Sequence, residues 1–516
     1  MDKHLNLLDE PWLPVRLRNG QSRELGLLDV FSCTDKIAAL ADPSPPSQIA
    51  QYRLLLAIFH RALMQAHGSW KDKDRLRWHR EGLPVEGIHA YLEGLRERFW
   101  LFHPEHPFMQ VAALATAEAT RDKVKPWTQI SLASASGNTP VVFDHAWDET
   151  PGPISEAAAF CALLGFLQFT PGGLVKVFRS SDKAGPLANT AAVLPMGANL
   201  SQTLCLALHR SSPSGIDDLP SWEQTPPDTV ALSGEPTPAS GPNDRYTRLS
   251  RAVLLLRDDS GGVRGIRFGA GRALADNEHT VDPMASYRVG ANGPVRITFR
   301  EGRAFWRDLP VLLPDPEGAA ALPAPVLGQA TNLLHIADET QQALLVSGIA
   351  SDQAKLLRWR SETLHLPAAL LESEALAQQL RNLVQEAEEV FRALRSICSD
   401  MLADTLPDSR SKDTKARSRE LFDAGSAAST YFVAAEKLLT PTCQALAQAD
   451  LDRAQHVWRD GLRRAAEAAW QVVRRSAGMT PRALRADALT YPKYRRLIAR
   501  IRKQSASQTA TQEENI

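Results

Sequence analysis

Apolar side chains recur at helical spacing in several long stretches of this sequence. Between residues 47 and 66, apolar positions repeat every three or four residues, which predicts a helix. The run Glu156–Phe169 is almost continuously apolar and is typical of a buried helix. Beyond Leu364, a stripe from Leu376 to Met401 predicts a long helix whose apolar side packs in a core. Further helices are expected near 415–446, 450–476 and 480–503.

The first part of the chain also carries short strand signals bounded by Gly, Pro and Asn. Asn19-Gly20 between apolar positions predicts a β-hairpin. Residues 245–257 and 263–268 predict two paired strands around a turn at 258–262. Strands and helices do not alternate regularly, so the pattern favours the α+β class over a doubly wound sheet.

Other segments of this first part have weaker patterns. Residues 25–31 fit a third short strand or a turn, and 306–313 fit a strand or a short helix. A helix is expected over 88–102, and further strands are expected at 141–143 and 296–299.

The composition changes at the stretch 347–360, which separates the strand-rich part from the helical part. Ser351 or Asp352 is predicted to be an N-cap, because its side-chain oxygen can accept a free backbone N–H of a following helix. Gln353 would then lie in the first helical turn with its amide facing outward. An ordinary capped helix start explains the same residues without any function.

These patterns divide the chain into two domains and a tail. We expect an α+β domain over 1–364, a four-helix bundle over 365–504, and a disordered tail over 505–516. A chain of 516 residues is long enough for more than one domain with a large core.

Composition and charge exclude several classes of protein. The chain is 44% hydrophobic and 23% charged, with 59 basic and 59 acidic side chains, so its net charge does not indicate a nucleic-acid binder. The five cysteines form no CxxC pair, which argues against a disulfide scaffold and a cysteine zinc site. No signal peptide or membrane-spanning run is found, so a cytoplasmic protein with no membrane partner is expected.

The distribution of charge is more informative than its sum. Residues 451–503 contain fourteen Lys and Arg against four Asp and Glu. An exposed helical surface normally mixes both signs, so this excess indicates a polyanion or an acidic protein partner. A merely basic surface remains the alternative.

Candidate chemistry is sparse. Gly172-Gly173 is followed by Lys176 and Arg179, a combination that can hold an anion, but it lacks the spacing of a nucleotide-binding P-loop. The small-residue segment 130–145 can also bring its backbone close to a phosphate chain. Pro104 lies between His103 and His106, and Pro107 follows them. These prolines break the helix that would place both imidazoles on one face, so the pair does not predict a metal site. No HExxH, GxSxG, Walker A or Rossmann glycine motif occurs, so no enzyme class is indicated.

Several stretches together resemble the large subunit of the type I-E CRISPR surveillance complex Cascade, the CasA-type family. They are the Asn-Leu-Leu-Asp-Glu-Pro-Trp-Leu-Pro-Val opening at 6–15, His-Pro-Phe-Met-Gln at 106–110, Ser-Gly-Asn-Thr at 136–139, Ser-Asp-Gln-Ala-Lys at 351–355, and 431–439 before Pro441. Their order and spacing cover nearly the whole chain.

The resemblance implies an α+β domain followed by a four-helix bundle, and a subunit that is not an enzyme. It implies recognition of the protospacer-adjacent motif (PAM) in double-stranded DNA through the minor groove, strand separation for guide-RNA pairing, and recruitment of a helicase–nuclease. The implied partners are the other Cascade subunits, the guide RNA and the DNA target, with no cofactor and no metal.

The resemblance also assigns candidate residues. Gln353, with Ala354, matches the wedge that pushes between base pairs next to the PAM, and Gly172-Gly173 resembles a loop close to the groove, with Lys176 beside it. A basic finger on a hairpin is assigned to Arg272, or alternatively to Arg267. The guide-RNA or PAM loop is expected to use Asn138, Phe143 and Asp144, and the DNA backbone to contact Arg495, Arg496 and Arg500.

Two other functions stay open from the sequence. The chain could be a scaffold whose basic bundle binds acidic proteins without touching DNA, or an enzyme whose site carries no recognised motif.

Overall fold

The structure is a computed structural model that describes residues 3–132, 151–173, 175–211, 217–259, 261–275, 281–352 and 355–506. The chain divides into two compact units. The first consists of Met1–Phe305 and Gly318–Leu364, and the second of Trp306–Glu317 and His365–Ile516. The predicted tail lies outside the described residues from 507 onward, and the last helix extends to Ala506.

The first unit mixes short strands with helices, and the α+β class predicted from the sequence is confirmed. Its helices are α1 (Leu27–Ser32), α2 (Pro45–His67), α3 (Asp72–Glu81), α4 (Val85–Gly94), α5 (Glu156–Phe169), α6 (Leu200–Ala207), α7 (Thr229–Ser233), α8 (Pro242–Thr247) and α9 (Pro325–Ala337). Its strands are β1 (His4–Asn6), β2 (Leu13–Leu17), β3 (Ser22–Leu25), β4 (Ile37–Leu40), β5 (Trp100–Phe102), β6 (Lys125–Pro126), β7 (Ala191–Met196), β8 (Arg251–Arg257), β9 (Val263–Ala270), β10 (Tyr287–Gly290), β11 (Gly293–Arg296), β12 (Ala321–Leu322), β13 (Gln341–Asp352) and β14 (Lys355–Pro367), the last of which continues into the second unit. Short 3-10 helices lie at Arg96–Arg98, Ala112–Ala115, Trp127–Ile130 and Phe305–Leu312.

The described strands form several small sheets. The three-stranded sheets have the orders β3-β2-β4, β6-β9-β8, β11-β10-β12 and β14-β13-β7, and β1 pairs with β5. The hairpin predicted around Asn19-Gly20 is confirmed as β2 and β3, and Gly20 adopts φ +86°, which only glycine accepts without strain. The predicted pairing of 263–268 with the preceding strand is likewise confirmed as β8 and β9.

Helix α2 runs through the core of the first unit. Pro45 occupies its first turn, where a missing N–H costs nothing, and its residues are buried almost all round from Ile49 to Leu63. Helix α5 packs closely against α2 at Gly165. A Cβ on this residue would lie only 2.7 Å from the Ser47 side-chain oxygen. Gly165, which interrupts the apolar run in the sequence, is therefore a contact point between helices.

The prediction of a helix that begins at Ser351 or Asp352 is wrong. Residues 341–352 form strand β13, and residues 355–367 form strand β14 beside it in the sheet. The polar Ser-Asp pair mimics an N-cap, but pairing of β13 with β7, about 150 positions earlier in the chain, decides the conformation. Gln353 and Ala354 lie outside the described residues.

Four other segments differ from their predictions. Residues 27–32 form a helix, the helix expected over 88–102 ends at Gly94 and gives way to β5, and 245–247 belong to α8 before β8 begins. The strand expected at 296–299 is β11, three residues earlier. The predicted strand at 141–143 lies outside the described residues.

The second unit is helical. Its helices are α10 (Ala369–Glu372), α11 (Glu374–Thr405), α12 (Lys412–Ala424), α13 (Ala427–Glu436), α14 (Leu439–Ala447), α15 (Leu451–Ala477) and α16 (Pro481–Ala506). The prediction of a single helix over 415–446 is wrong, because this segment forms the three short helices α12, α13 and α14. The first break is at Gly425, and the second is at Leu438. The Leu438 side chain packs against α15, where a Cβ on Gly461 would lie 2.3 Å from it.

A strap, residues 306–317, packs with the helices of the second unit. Trp306 is 1% exposed and contacts the rings of Phe432 and Trp458. Arg307 donates two hydrogen bonds to Glu388, at 2.6 and 2.8 Å, while its guanidinium lies over the Phe432 ring. These contacts explain why the strap belongs to this unit although it precedes residue 364.

Among the described residues, no helix is both long enough and apolar enough to cross a membrane.

Candidate nucleic-acid interface

Strands β13 and β14 flank Gln353 and Ala354, the residues predicted to form the wedge, which themselves lie outside the described residues. In the β7–β13 ladder the last pair joins Gly348 to Ala191, and β13 continues to Asp352. Four further residues at about 3.3 Å each extend β13 about 13 Å beyond the start of β7. Glycine at 348 lets the β13 backbone lie close to the residue before β7, because a Cβ there would lie 2.3 Å from the Thr190 carbonyl oxygen.

The chain enters β7 from the glycine loop, residues 170–185. The loop closes on itself through two backbone hydrogen bonds, from Gly185 N to the Thr170 oxygen and from Gly173 N to the Asp182 oxygen, each 2.8 Å. Gly173 adopts φ +89°, a left-handed conformation that favours glycine. A Cβ on Gly172 would lie 3.1 Å from the backbone nitrogen of Ala184, so a larger residue there would be tightly packed against the opposite arm of the loop.

A buried arginine holds the two arms of the glycine loop together. Arg251 donates from Nη1 to the Lys183 oxygen at 2.6 Å and from Nη2 to the Pro171 oxygen at 2.5 Å. Its guanidinium also lies 2.9 Å from the Asp182 carboxylate, and the two side chains are 1% and 0% exposed. Burial raises the pKa of Asp182, although the nearby Arg251 charge acts in the opposite direction.

The outer part of the glycine loop lies against β9. The Val177 oxygen accepts a hydrogen bond from Ala270 N at 3.1 Å, and Phe178 packs on Gly269, where a Cβ would lie 2.8 Å from the ring. Lys176 is exposed on this loop. Arg179 is half-buried, and two of its guanidinium nitrogens, Nε and Nη1, have no hydrogen-bond partner within the described chain.

The side chains of the two candidates for a basic finger both donate hydrogen bonds within the protein. Arg272 follows β9 and donates to the Gln224 side chain, and burial lowers its pKa. Arg267 lies inside β9 and donates to the Arg121 carbonyl oxygen at 2.9 and 3.2 Å. Arg267 thus lies on the β8–β9 hairpin, whose turn is at 258–262, and Arg272 follows the second strand. The sequence could not reveal these hydrogen bonds, because the acceptors, Gln224 and Arg121, come from other segments of the chain.

The remaining loop candidates, Asn138, Phe143 and Asp144, lie outside the described residues. The chain leads to this loop from the 3-10 helix Trp127–Ile130, in which Thr128 and Ile130 are buried.

The predicted backbone-contacting arginines lie in the second unit on α16. Arg495, Arg496 and Arg500 are all exposed. Within the described part of the chain, Arg495 and Arg496 make no hydrogen bond or ion pair. Burial raises the pKa of Glu386, and the nearby charges of Arg459 and Arg500 oppose that shift.

Five of the basic side chains at 451–503 pair with carboxylates. The pairs are Arg459 with Glu386, Arg463 with Asp460 and Glu467, Arg464 with Asp460, Arg474 with Asp487, and Lys493 with Asp400. Asp460, Glu467 and Asp487 are already among the four acidic residues of the sequence count, whereas Glu386 and Asp400 belong to α11. These two lower the basic excess from ten to eight, so most of the excess that the sequence showed is retained.

Sequence reasoning missed Arg251 and Asp182 altogether. Arg251 falls in an apolar strand pattern with no local partner, so only the fold reveals that it joins the two arms of the glycine loop. Within the described residues, no group of three or more His, Cys, Asp or Glu side chains is arranged to hold a metal ion.

Comparison with known proteins agrees with the resemblance found in the sequence. Residues 6–469 match the family described as CRISPR-associated protein Cse1. The CRISPR-associated protein CasA/Cse1 of Thermus thermophilus is 35% identical over 510 residues, covering 96% of this chain and 97% of that protein. The solved structure of Thermus thermophilus CasA (Cse1) superimposes with a TM-score of 0.82 at 32% identity, covering 97% of this chain and all of that one.

A more distant structure shares the fold. A chain of a CRISPR RNA-guided surveillance complex gives a TM-score of 0.72 at 22% identity, covering 98% of this chain and 100% of that one. The match to the Cse1 family spans well over half of the sequence, and the curated relative is aligned over nearly its full length. The chain therefore belongs to the CasA/Cse1 family of CRISPR-associated proteins.

Proposed function

We propose that this chain is the non-catalytic large subunit of a type I-E Cascade surveillance complex. It recognises the PAM in double-stranded DNA through the minor groove, promotes strand separation and R-loop formation, and recruits the helicase–nuclease. Membership of the CasA/Cse1 family supports the subunit assignment, and the likeness to a chain of an RNA-guided surveillance complex is consistent with it. Its partners are then the other Cascade subunits, the guide RNA and the DNA target.

The observation that carries the proposal is the arrangement of β13, β14 and β7 in one sheet. Gln353 and Ala354 connect two paired strands that continue past the start of β7, and the glycine loop leads into that same strand. A narrow hairpin is a suitable shape for a wedge, because it can enter a base step without bringing a bulky body into the groove. Partly unstacking one step costs a few kcal/mol.

Contacts to the groove and the phosphates offset that cost. The glycines let the loop backbone approach DNA closely, and the exposed ammonium of Lys176 is available to a phosphate. Lys176 suits this contact better than Arg272 or Arg267, whose guanidinium groups already donate to protein acceptors. Pairing of the opened strand with guide RNA then replaces the lost base pairs.

The other proposed contacts lie elsewhere in the chain. Asn138, Phe143 and Asp144 contact the guide RNA or the PAM groove, and the exposed Arg495, Arg496 and Arg500 contact the DNA backbone. None of these steps needs a covalent change in the protein, a cofactor or a metal.

The test is an electrophoretic shift with PAM and non-PAM duplexes, using the complex assembled with its guide RNA and partner subunits. We expect PAM-dependent binding that Gln353→Ala weakens and that Gln21→Ala, a change on the exposed β2–β3 hairpin, leaves intact. Equal binding of both duplexes by the intact complex would instead favour a scaffold whose helical unit binds acidic proteins. Cleavage of DNA by the isolated chain would contradict the non-catalytic assignment.

A further inference from the structure

A cleft of about 480 Å³ opens in the second unit where α11 ends and α16 begins. One wall is the end of α11 with the following loop, residues 404–411, and the other is the first part of α16, residues 482–489. Its volume lies in the range of about 300–1,000 Å³ typical of ligand sites. It is separate from the arginines at 495–500, which lie about ten residues, or about 15 Å, further along α16.

Five charged side chains line the cleft. Arg410, Arg482 and Arg485 face it together with Asp404 and Asp408. Within the described part of the chain, none of these five side chains makes an ion pair or a hydrogen bond through its charged group. This differs from the neighbouring surface, where Arg463 and Arg474 are paired.

The local field favours a negatively charged ligand. Three guanidinium groups face two carboxylates, and α12 and α16 both begin at this cleft with the positive ends of their helix dipoles. Arg482 and Arg485 are exposed, so both can reach a ligand without moving other parts of the protein.

Apolar surface accompanies the charge. Leu489 is 58% exposed and lies on the same helical face as Arg482 and Arg485, while Leu406 lines the opposite wall. Leu484 and Tyr491 are also exposed, at 48% and 45%, but they lie on the opposite side of α16. Leu489 and Leu406 are therefore the large apolar side chains that a ligand in the cleft can cover.

We propose that this cleft docks a segment of a protein partner in which acidic side chains alternate with leucine or phenylalanine. The acidic groups pair with Arg482, Arg485 and Arg410, and the apolar groups cover Leu489 and Leu406. A nucleic-acid backbone would pair with the arginines but would leave Leu489 and Leu406 exposed, whereas an acidic peptide with apolar side chains covers both. The observed lining therefore fits a peptide better than a phosphodiester chain.

The test measures binding of fluorescein-labelled peptides to the purified full-length chain by fluorescence anisotropy. The probes are a panel of short peptides in which glutamate or aspartate alternates with leucine or phenylalanine, matched peptides with serine in place of the apolar residues, and a single-stranded oligothymidine. The variants are Arg482→Glu with Arg485→Glu, and separately Leu489→Ser. The control is Arg417→Glu with Arg419→Glu, which makes the same charge change on an exposed part of α12.

We expect at least one acidic-apolar peptide to bind the wild type and to lose at least tenfold in affinity in each cleft variant, with little change in the α12 control. The serine-substituted peptide should bind at least tenfold more weakly. Circular dichroism of each variant checks that the helices are retained.

Three results would overturn the proposal. One is no binding by any peptide of the panel at millimolar concentration. The second is equal weakening by the α12 control, which would show a general charge effect. The third is binding of the oligothymidine that depends on Arg482 and Arg485 while peptide binding does not, which would make the cleft a nucleic-acid site.

Discussion

Replacing Arg251 with alanine tests how the glycine loop is held in place. The change leaves the Asp182 carboxylate buried without its partner and removes the donors to the carbonyl oxygens of Pro171 and Lys183. Removing one member of a buried ion pair costs about 3–5 kcal/mol. For a unit of this size, we expect the thermal midpoint of the first unit to fall by at least about 5 °C.

The pH dependence of this loss identifies its cause. Burial raises the pKa of Asp182, so protonation of this group favours the folded state at low pH, and that contribution is lost as the pH rises through the raised pKa. Removing the Arg251 cation raises this pKa further. The variant should therefore be destabilised most near neutral pH and least at acid pH, where Asp182 is protonated.

The assay is thermal unfolding of the full chain at several pH values, combined with limited proteolysis of the glycine loop. Arg251→Lys is the matched control, because an ammonium keeps the charge beside Asp182 but cannot reach both carbonyl oxygens as a planar guanidinium does. We expect its midpoint to lie between those of the wild type and Arg251→Ala. A loss below about 1 kcal/mol, or an equal loss at all pH values, would refute the reasoning, since a buried pair should cost more.

Three further changes test other parts of the structure. Gly461→Ala adds a methyl group that overlaps Leu438. Overpacking costs about 1–3 kcal/mol, against a helix-propensity gain of up to about 1 kcal/mol, so chemical denaturation should show a lower free energy of unfolding. A higher free energy of unfolding would show that the Leu438 side chain moves aside freely. Burial lowers the pKa of His60 from 6.5 to about 4, so about 3 kcal/mol of stability should disappear as the pH falls through that window. His60→Gln should flatten the pH profile of the denaturation midpoint over the same window, and an unchanged profile would assign the acid sensitivity to other groups. Replacing Arg495 and Arg496 with glutamine should reduce the salt dependence of DNA binding by the assembled complex, by a slope of about 1 for each lost phosphate contact, whereas an unaltered slope would show that they do not contact DNA.

Local sequence patterns were sufficient where local interactions decide the structure. The apolar spacing of α2 and α5 and the Asn19-Gly20 turn of the β2–β3 hairpin predicted these elements, because helix periodicity and turn geometry are set by nearby residues. Strand β13 was predicted wrongly for the opposite reason. Its conformation depends on β7, and no local pattern reveals a partner so far away in the chain.

The candidate site shows the same division. The two glycines could be recognised from the sequence, and Gly173 has the left-handed backbone that explains why glycine is needed there. The Arg251–Asp182 pair that holds the loop could not be predicted, because its members are far apart in the sequence. Charge counting overestimated the basic excess at 451–503 by two charges out of ten, because Glu386 and Asp400 on α11 pair with Arg459 and Lys493.

The most direct test of the proposed wedge follows the opening of the first base pair beside the PAM. A 2-aminopurine placed at that position becomes more fluorescent when it unstacks, and the measurement uses the complex assembled with guide RNA but without the nuclease. We predict a large increase with the wild-type chain and little increase with Gln353→Ala, with guide-RNA content unchanged in both complexes. An equal increase with the two chains would contradict the account, because the base pair would then open without the Gln353 side chain.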